Sequence, residues 1–332
     1  MRILIVGLGS MGKRRIRNLK ALGVENLGGY DIRADRRLEV EQEYKLPTFD
    51  AVEKAISEFQ PTTLVISTPP LDHMYYAALA FDKGLDFFIE ASVVEGEKIH
   101  NLARMLRASQ VIGVPSCTMK YFQGPKLVKA LLGAGTIGRP LSFTYEVGQY
   151  LPDWHPWESI NDFYVSRRET GGAREIVPFE LTWLNSLFGK PAPLYCIKTK
   201  LSEMGADIDD YYQIALEYPG RIFAAITVQV LSRPVPTREL RILGSDGIIT
   251  FGGERQLVKS ITKDGSQWID HELTDNTIES GYKYPEEPYI REMHDFVQAV
   301  KKRDRNLFPN NFDDDYEILK LLNDLEGLSC GL

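Results

Sequence analysis

Residues 3–12 read Ile3-Leu4-Ile5-Val6-Gly7-Leu8-Gly9-Ser10-Met11-Gly12, and a helical stretch from Lys13 to Leu22 follows at once. A short apolar, β-branched run feeding G-x-G-x-x-G and then a helix is the context in which this spacing has chemical meaning. Gly7 permits the tight turn off the strand, Gly9 lets the backbone approach a pyrophosphate, and Gly12 lets the helix pack close to the sheet. The free N–H groups of the helix start, among them those of Ser10 and Met11, would face the anion. Asp31 ends the next apolar run, 19 residues past Gly12, where a carboxylate can accept from a ribose hydroxyl. The stretch is therefore expected to bind a dinucleotide.

Outward from this turn the first third alternates strand and helix. Strand-like runs at 2–6, 26–31, 62–67, 86–89 and 111–115 are separated by amphipathic stretches at about 10–22, 34–44, 50–58, 71–83 and 95–109. That rhythm calls for a parallel sheet covered on both faces, with ligands at the carboxyl ends of its strands. After residue 118 the rhythm changes. A helix at about 122–134, a long strand at 140–150, a polar and aromatic segment at 151–170 and a helix at about 173–188 precede seven strand-like runs between 194 and 273. Two helices close the chain, at about 286–302 and 314–328. Strands in series with short turns indicate a mostly antiparallel sheet. The expected fold is α/β, with an N-terminal Rossmann domain (1–118, a doubly wound parallel sheet) and a C-terminal α+β domain (119–332) on an open, mostly antiparallel sheet. The second domain is expected to bind substrate and to oligomerise. A wide sheet covered on one face is an aggregation hazard, so a homodimer or homotetramer through that sheet is predicted.

Composition narrows the partners. The 332 residues are 43% hydrophobic and 26% charged, with net charge −7 and pI about 5.4. An acidic surface without basic runs argues against nucleic acid and against an anionic membrane. Cys117, Cys196 and Cys330 are too widely spaced for a disulfide framework or a metal site, and point to a reducing, cytoplasmic setting. The apolar N-terminus is a strand rather than a signal peptide, and no stretch approaches the length of a membrane span.

Several separated segments together resemble one family, the Gfo/Idh/MocA oxidoreductases, over nearly the whole chain. The glycine turn is one. Ser67-Thr68-Pro69-Pro70-Leu71-Asp72-His73 is similar to the family's T-P-x-x-x-H segment beneath the nicotinamide half of the cofactor. Lys83 to Glu90 resembles the approach to its E-K-P motif, and Met119-Lys120-Tyr121-Phe122 with Gly135 to Leu141 its junction into the second domain. Leu243 to Ile249 resembles a G-x-x-G turn of its sheet. The resemblance implies NAD(H) or NADP(H), cofactor contacts from Ser67, Thr68, Pro69, His73 and Glu90, and a carbohydrate-like substrate between the domains.

It departs from the family at the proton-transfer residues. Glu90 is followed by Ala91-Ser92, so the E-K-P lysine is absent. The other usual group is a histidine in roughly G-G-x-x-x-D-x-x-x-H-x-x-D. Alignment on Gly171-Gly172 and Leu187-Phe188-Gly189 places Phe179 at the histidine and Ile176 and Thr182 at the carboxylates. Replacements were sought nearby, because hydride transfer at a carbinol needs a group to take or give the hydroxyl proton. His155, flanked by Trp154 and Trp157 that could stack on a sugar ring, is the first candidate; the alternative is a loop histidine packed between rings. Lys120 is the second, against an ordinary cation at the junction. Glu175 and Glu180 lie on one helix about 140° apart and cannot share a face. Of the two, Glu175, nearer the helix start, is the better placed, with a dipole-stabilising role as its alternative. Tyr164, Arg167 and Arg168 could meet substrate, the arginines clamping a carboxylate or phosphate, or could be a solvated charge run. His73 could equally serve a helix N-terminus.

For the cofactor, Asp31 argues for NAD because its charge would repel a 2′-phosphate; Arg33 and Arg36-Arg37 could offset it and admit NADP. The chain reads as an NAD(P)-dependent oxidoreductase of a sugar, sugar derivative or nucleotide-sugar hydroxyl, with a loose likeness to surface-polysaccharide enzymes. The alternatives are a dinucleotide-binding sensor or scaffold without catalysis, and a lyase or epimerase with resident NAD.

Overall fold

The computed structural model describes residues 1–154, 159–253, 257–274, 278–279 and 284–329. Contacts divide the chain into two compact units. The first comprises 1–121 and 276–316, the second 122–275 and 317–332.

In the first unit the elements alternate: β1 (Ile3–Val6), α1 (Ser10–Ala21), β2 (Leu27–Tyr30), α2 (Ala34–Tyr44), β3 (Thr48–Phe49), α3 (Val52–Phe59), β4 (Thr63–Ile66), α4 (His73–Asp82), β5 (Asp86–Ile89), α5 (Gly96–Arg107) and β6 (Gly113–Pro115). The sheet is parallel throughout, in the order β3-β2-β1-β4-β5-β6. Strand order reverses between β1 and β4, and the turns leaving these two strands lie side by side there. This is the crevice in which open α/β sheets bind ligands. All four residues of β1 are fully buried, as a strand covered on both faces requires. α1 stops where its sequence says it should. Gly23 takes φ +73° and donates to the Lys20 carbonyl, while the Val24 N–H reaches back to the Leu19 carbonyl, a Schellman closure. The expected helix from 71 starts at His73, because Pro69-Pro70 first set a single 3₁₀ turn.

Further along the chain, α8 (Glu287–Lys302) completes the first unit's core. Its Met293, Phe296, Val297 and Val300 pack in one cluster with Ile5, Ile16, Leu19, Phe88 and Tyr121.

The second unit holds α6 (Gln123–Gly133), β7 (Pro140–Gly148), α7 (Ala173–Phe188), β8 (Ala192–Thr199), β9 (Tyr211–Tyr218), β10 (Ile222–Gln229), β11 (Thr237–Gly244), β12 (Gly247–Gly252), β13 (Leu257–Thr262) and β14 (Ile269–His271); the boundary falls within α9 (Phe312–Leu328). Its eight-stranded sheet runs β14-β13-β12-β11-β7-β10-β9-β8. Every neighbouring pair is antiparallel except β7 and β10, which are parallel. Period-two alternation sends Phe143, Tyr145 and Val147 of β7, Ile214 and Leu216 of β9 and Ile226 of β10 to the covered face. α7 lies on that face, with Phe188 stacked on Phe143 (centroids 4.5 Å apart) and Trp183 edge-on to Tyr145. The other face shows Thr144, Glu146, Phe223, Glu239, Arg241 and Leu243 to solvent.

Candidate active site

The glycines of the first turn are each demanded by something different. Gly7 has φ +91°, and a Cβ there would lie 2.6 Å from the Ser67 carbonyl oxygen of the adjacent turn. A Cβ on Gly12 would lie 1.9 Å from the Gly7 carbonyl oxygen. Both are therefore fixed by backbone packing. Gly9 is different: its φ of −70° suits any residue, and the nearest atoms to a Cβ there all belong to the Arg36 guanidinium, 3.4–4.0 Å away. No neighbouring backbone requires that glycine, so the bare surface suits a ligand. The start of α1, which includes Ser10, Met11 and Gly12, has no side-chain cap and no acid in its first turn. Helices commonly have such a cap, and its lack leaves a positive dipole end for an anion. These residues fit the pyrophosphate of a dinucleotide.

Asp31 is buried, and its carboxylate holds two turns. Oδ2 accepts from the Leu8 N–H (2.7 Å) and Oδ1 from the Arg33 N–H (2.8 Å). Each oxygen keeps a second lone pair, so accepting from a ribose hydroxyl is compatible with both bonds. The Arg33 side chain turns to Asp35 instead, with bonds of 3.1 and 2.6 Å.

The Ser67-Thr68-Pro69 turn is clamped from below. His73 is 1% exposed, and burial drives its pKa down to about 4, so the ring is neutral at pH 7. Its Nε2 donates to the Thr68 carbonyl (2.8 Å), since that partner can only accept; Nδ1 then accepts from the Ser92 hydroxyl (3.2 Å). Both ring nitrogens are used, which makes His73 a positioning residue for the turn. Ser92, standing where the family pattern has proline, supplies the hydroxyl. Glu90 receives two bonds from Arg15 (2.7 and 2.8 Å) and one from Ser67 Oγ (3.2 Å).

Arg15 was missed in the sequence reading. Its side chain is fully buried, 2.9 Å from Glu292 on α8 as well as paired with Glu90, and it lies over the Phe88 ring at 4.6 Å. Burial works against its charge, and the two carboxylates more than offset that. Glu292 in turn accepts from Ser116 Oγ, the Cys117 N–H and Thr118 Oγ1. The signal was available: residue 15 sits one turn before Leu19 on the buried stripe of α1, an odd place for an unpaired cation.

Lys120 lies in the same unit, donating to the Pro309 carbonyl (2.9 Å) and Asn310 Oδ1 (3.1 Å). Asn310 also donates to Asp315, whose carboxyl is pushed up to about 7 by burial. These contacts give Lys120 a role in closing the fold.

In the second unit the structure brings together two of the expected residues. Tyr164 donates to Glu175 Oε1 at 2.6 Å, across the turn that precedes α7. The glycine pair makes this approach possible. A Cβ on Gly171 would lie 1.9 Å from the Val165 carbonyl oxygen, and Gly172 has φ +64°. The second oxygen, Oε2, is sealed from solvent with no hydrogen-bond partner among the described residues. Burial, opposed by the Tyr164 bond, raises the Glu175 pKa to about 7. A carboxyl in the first turn of a helix would ordinarily be shifted down. This one can hold or release a proton near neutrality.

Arg168 is already engaged, with Asp207 and Asp209 each at 2.6 Å. As a clamp for a substrate anion it would first have to leave two carboxylates. Arg167 is exposed. Trp154 has a buried Nε1 with no hydrogen-bond partner among the described residues. His155 and Trp157 lie outside the described residues.

One alignment needs correcting. Counted strictly from Gly171-Gly172, the quoted spacing sets Glu180 and not Phe179 at the histidine's place, and Trp183 and not Thr182 at the last carboxylate. Glu180 is buried and saturated: it accepts from Tyr145 Oη (2.6 Å) and Trp183 Nε1 (2.8 Å) and pairs with Arg238 at 2.8 Å. A carboxylate so held keeps its charge and packs the sheet against α7.

Among the described residues no cluster of His, Cys, Asp and Glu could hold a metal ion, and no helix is long and apolar enough to cross a membrane. No curated protein matches the chain in sequence. Solved structures do match it in fold. Levoglucosan dehydrogenase, in complex with NADH and levoglucosan, superposes with TM-score 0.83 at 15% identity, covering 99% of this chain and 97% of that one. The myo-inositol 2-dehydrogenase of Lactobacillus plantarum gives 0.82 at 16% identity, over 99% and 97%. The UDP-N-acetylglucosamine 3-dehydrogenase of Acidithiobacillus ferrooxidans gives 0.78 at 16%, again over 99% and 97%. Two family models match: the oxidoreductase family with NAD-binding Rossmann fold over residues 1–115, and the GFO/IDH/MocA C-terminal domain over 126–250. Matched in both halves, the chain belongs to the Gfo/Idh/MocA oxidoreductases.

Proposed function

We propose that the protein is an NAD(P)-dependent oxidoreductase that interconverts a hydroxyl and a carbonyl on a sugar, sugar derivative or nucleotide sugar. The observation that carries this reading is the bare, uncapped Gly9 turn at the strand-order reversal of the parallel sheet. Sugar chemistry is supported by the fold likeness to dehydrogenases of levoglucosan, inositol and a nucleotide sugar. A role in surface-polysaccharide synthesis goes with the nucleotide-sugar option.

When bound, the nicotinamide accepts or supplies the hydride. The chain's own residues do the rest. Gly7, Gly9 and Gly12 with the α1 N–H groups seat the pyrophosphate, Asp31 takes a ribose hydroxyl, and His73 holds the Thr68-Pro69 turn in place. With the lysine of E-K-P replaced by Ala91, the substrate proton passes to Tyr164 and Glu175. Tyr164 meets the substrate hydroxyl, and the neighbouring carboxyl, poised near pH 7, takes up the proton during oxidation and returns it during reduction.

Steady-state assays over a panel of sugars and nucleotide sugars, with both nicotinamide cofactors, test the reading through the nicotinamide absorbance. Cofactor binding with no turnover on any substrate would leave only a sensor or scaffold, and turnover without added cofactor would indicate a lyase or epimerase. We further propose a cytoplasmic homodimer or homotetramer. The solvent face of the eight-stranded sheet carries Phe223 and Leu243, 44% and 42% exposed, and Cys117 and Cys196 are free, buried thiols. A monomer in sedimentation at micromolar concentration refutes the assembly.

A further inference from the structure

The segment after β2 holds three arginines within five residues, and two of them are committed. Arg33 pairs with Asp35, and Arg37 donates to the backbone carbonyls of Asp31 (2.8 Å) and Ile32 (3.1 Å). Arg36 differs. Its side chain makes no hydrogen bond among the described residues. Its guanidinium lies over Gly9, the glycine that no backbone contact requires, and its Nη1 is 3.7 Å from Asp31 Oδ2.

We propose that Arg36 is a receptor for the 2′-phosphate of a dinucleotide, so that the turn accepts NADP(H) alongside NAD(H). The inference rests on the dinucleotide reading above and adds to it which cofactor the site takes.

Two observations support it. First, the repulsion that Asp31 alone would exert on a 2′-phosphate is weakened on this chain. Both of its oxygens are drawn to backbone N–H groups, and a cation stands at the carboxylate's side. Second, Arg36 is not spent on that neighbour. At 3.7 Å the pair is an ion pair without a hydrogen bond, and the planar guanidinium has five N–H donors, enough to hold a phosphate through two of them. The side chain is 32% exposed, so an incoming anion can reach it. The competing role for Arg36 is to cover the face of the adenine, which every adenine nucleotide would feel equally.

Calorimetric titration of the full-length protein with ADP and with 2′,5′-ADP separates these roles without relying on turnover. The wild type is expected to bind 2′,5′-ADP at least as tightly as ADP. Arg36→Ala should weaken 2′,5′-ADP by about 10- to 100-fold, the worth of a charge-assisted bond, and ADP by less than about threefold. Equal losses for the two ligands overturn the assignment in favour of stacking. So does a wild type that prefers ADP by more than about tenfold. Binding of ADP alone removes only the phosphate site, whereas binding of neither ligand removes the dinucleotide reading and this inference with it.

Discussion

Glu175→Gln tests the proton carrier where it is most exposed to refutation, in its titration. In the folded protein the carboxyl has a pKa of about 7, raised by burial from an ordinary 4.5. A group with a raised folded-state pKa binds its proton more tightly in the native state. Its contribution is fully present below pH 4.5 and is lost as pH rises through 7. For these two values the loss between pH 5.5 and pH 8.5 is about 2 kcal/mol. Glutamine keeps the amide oxygen as an acceptor for Tyr164 and has no proton to lose. The difference in stability between variant and wild type should therefore drift by about 2 kcal/mol in the variant's favour over that range. With an unfolding entropy of about 2.1 cal/mol/K per residue this is about 3 °C in Tm if both units melt together. The other buried groups that titrate in this range, Asp315 and His73, belong to the first unit and cancel in the comparison. The kinetic arm uses the same variant. Oxidation by the wild type should rise through a pKa near 7 in kcat/KM, and the variant should lose that limb together with about 10²- to 10⁴-fold in kcat. A pH-independent stability difference refutes the raised pKa, and an unchanged pH–rate profile refutes the proton role.

Gly12→Ala should abolish NAD binding in titration and lower stability by about 1–3 kcal/mol or more, because its Cβ would stand 1.9 Å from the Gly7 carbonyl oxygen. Arg15→Met, measured by urea unfolding, should cost about 3–5 kcal/mol by leaving Glu90 and Glu292 buried without their cation; a loss under 1 kcal/mol would contradict that pairing. His73→Ala should raise KM for the cofactor more than it lowers kcat, since the ring positions the Thr68 turn. It should also remove the stability that the wild type loses as pH falls from 6.5 toward 4, where a ring held neutral by burial must take on charge. Loss of kcat alone would mean that His73 touches the reacting atoms.

Much of the fold could be read locally. The β1–α1 junction is specified by neighbouring residues: four β-branched or aliphatic side chains, glycines at 7, 9 and 12, and a closing Gly23 whose positive φ few other residues tolerate. Period-two alternation on β7, β9 and β10 likewise marks a sheet with one covered face before any contact is known. Periodicity in α8 shows an apolar stripe without saying what buries it. Only the tertiary structure sends Met293 and Phe296 into the core of the first unit, nearly three hundred residues after Ile5. The same limit holds for charge. Arg15, Glu90 and Glu292 look like three ordinary surface residues in the sequence, and become a buried ion network because their helices and strand converge.

The cofactor end of the site was therefore written in the sequence, because a phosphate cradle is built from consecutive backbone N–H groups and the glycines that bare them. The proton-carrying end was not. Tyr164 and Glu175 are eleven residues apart, and nothing in their spacing predicts a 2.6 Å hydrogen bond or a carboxyl sealed from water. Desolvation sets that acidity, and desolvation is a property of the packed protein rather than of any stretch of chain.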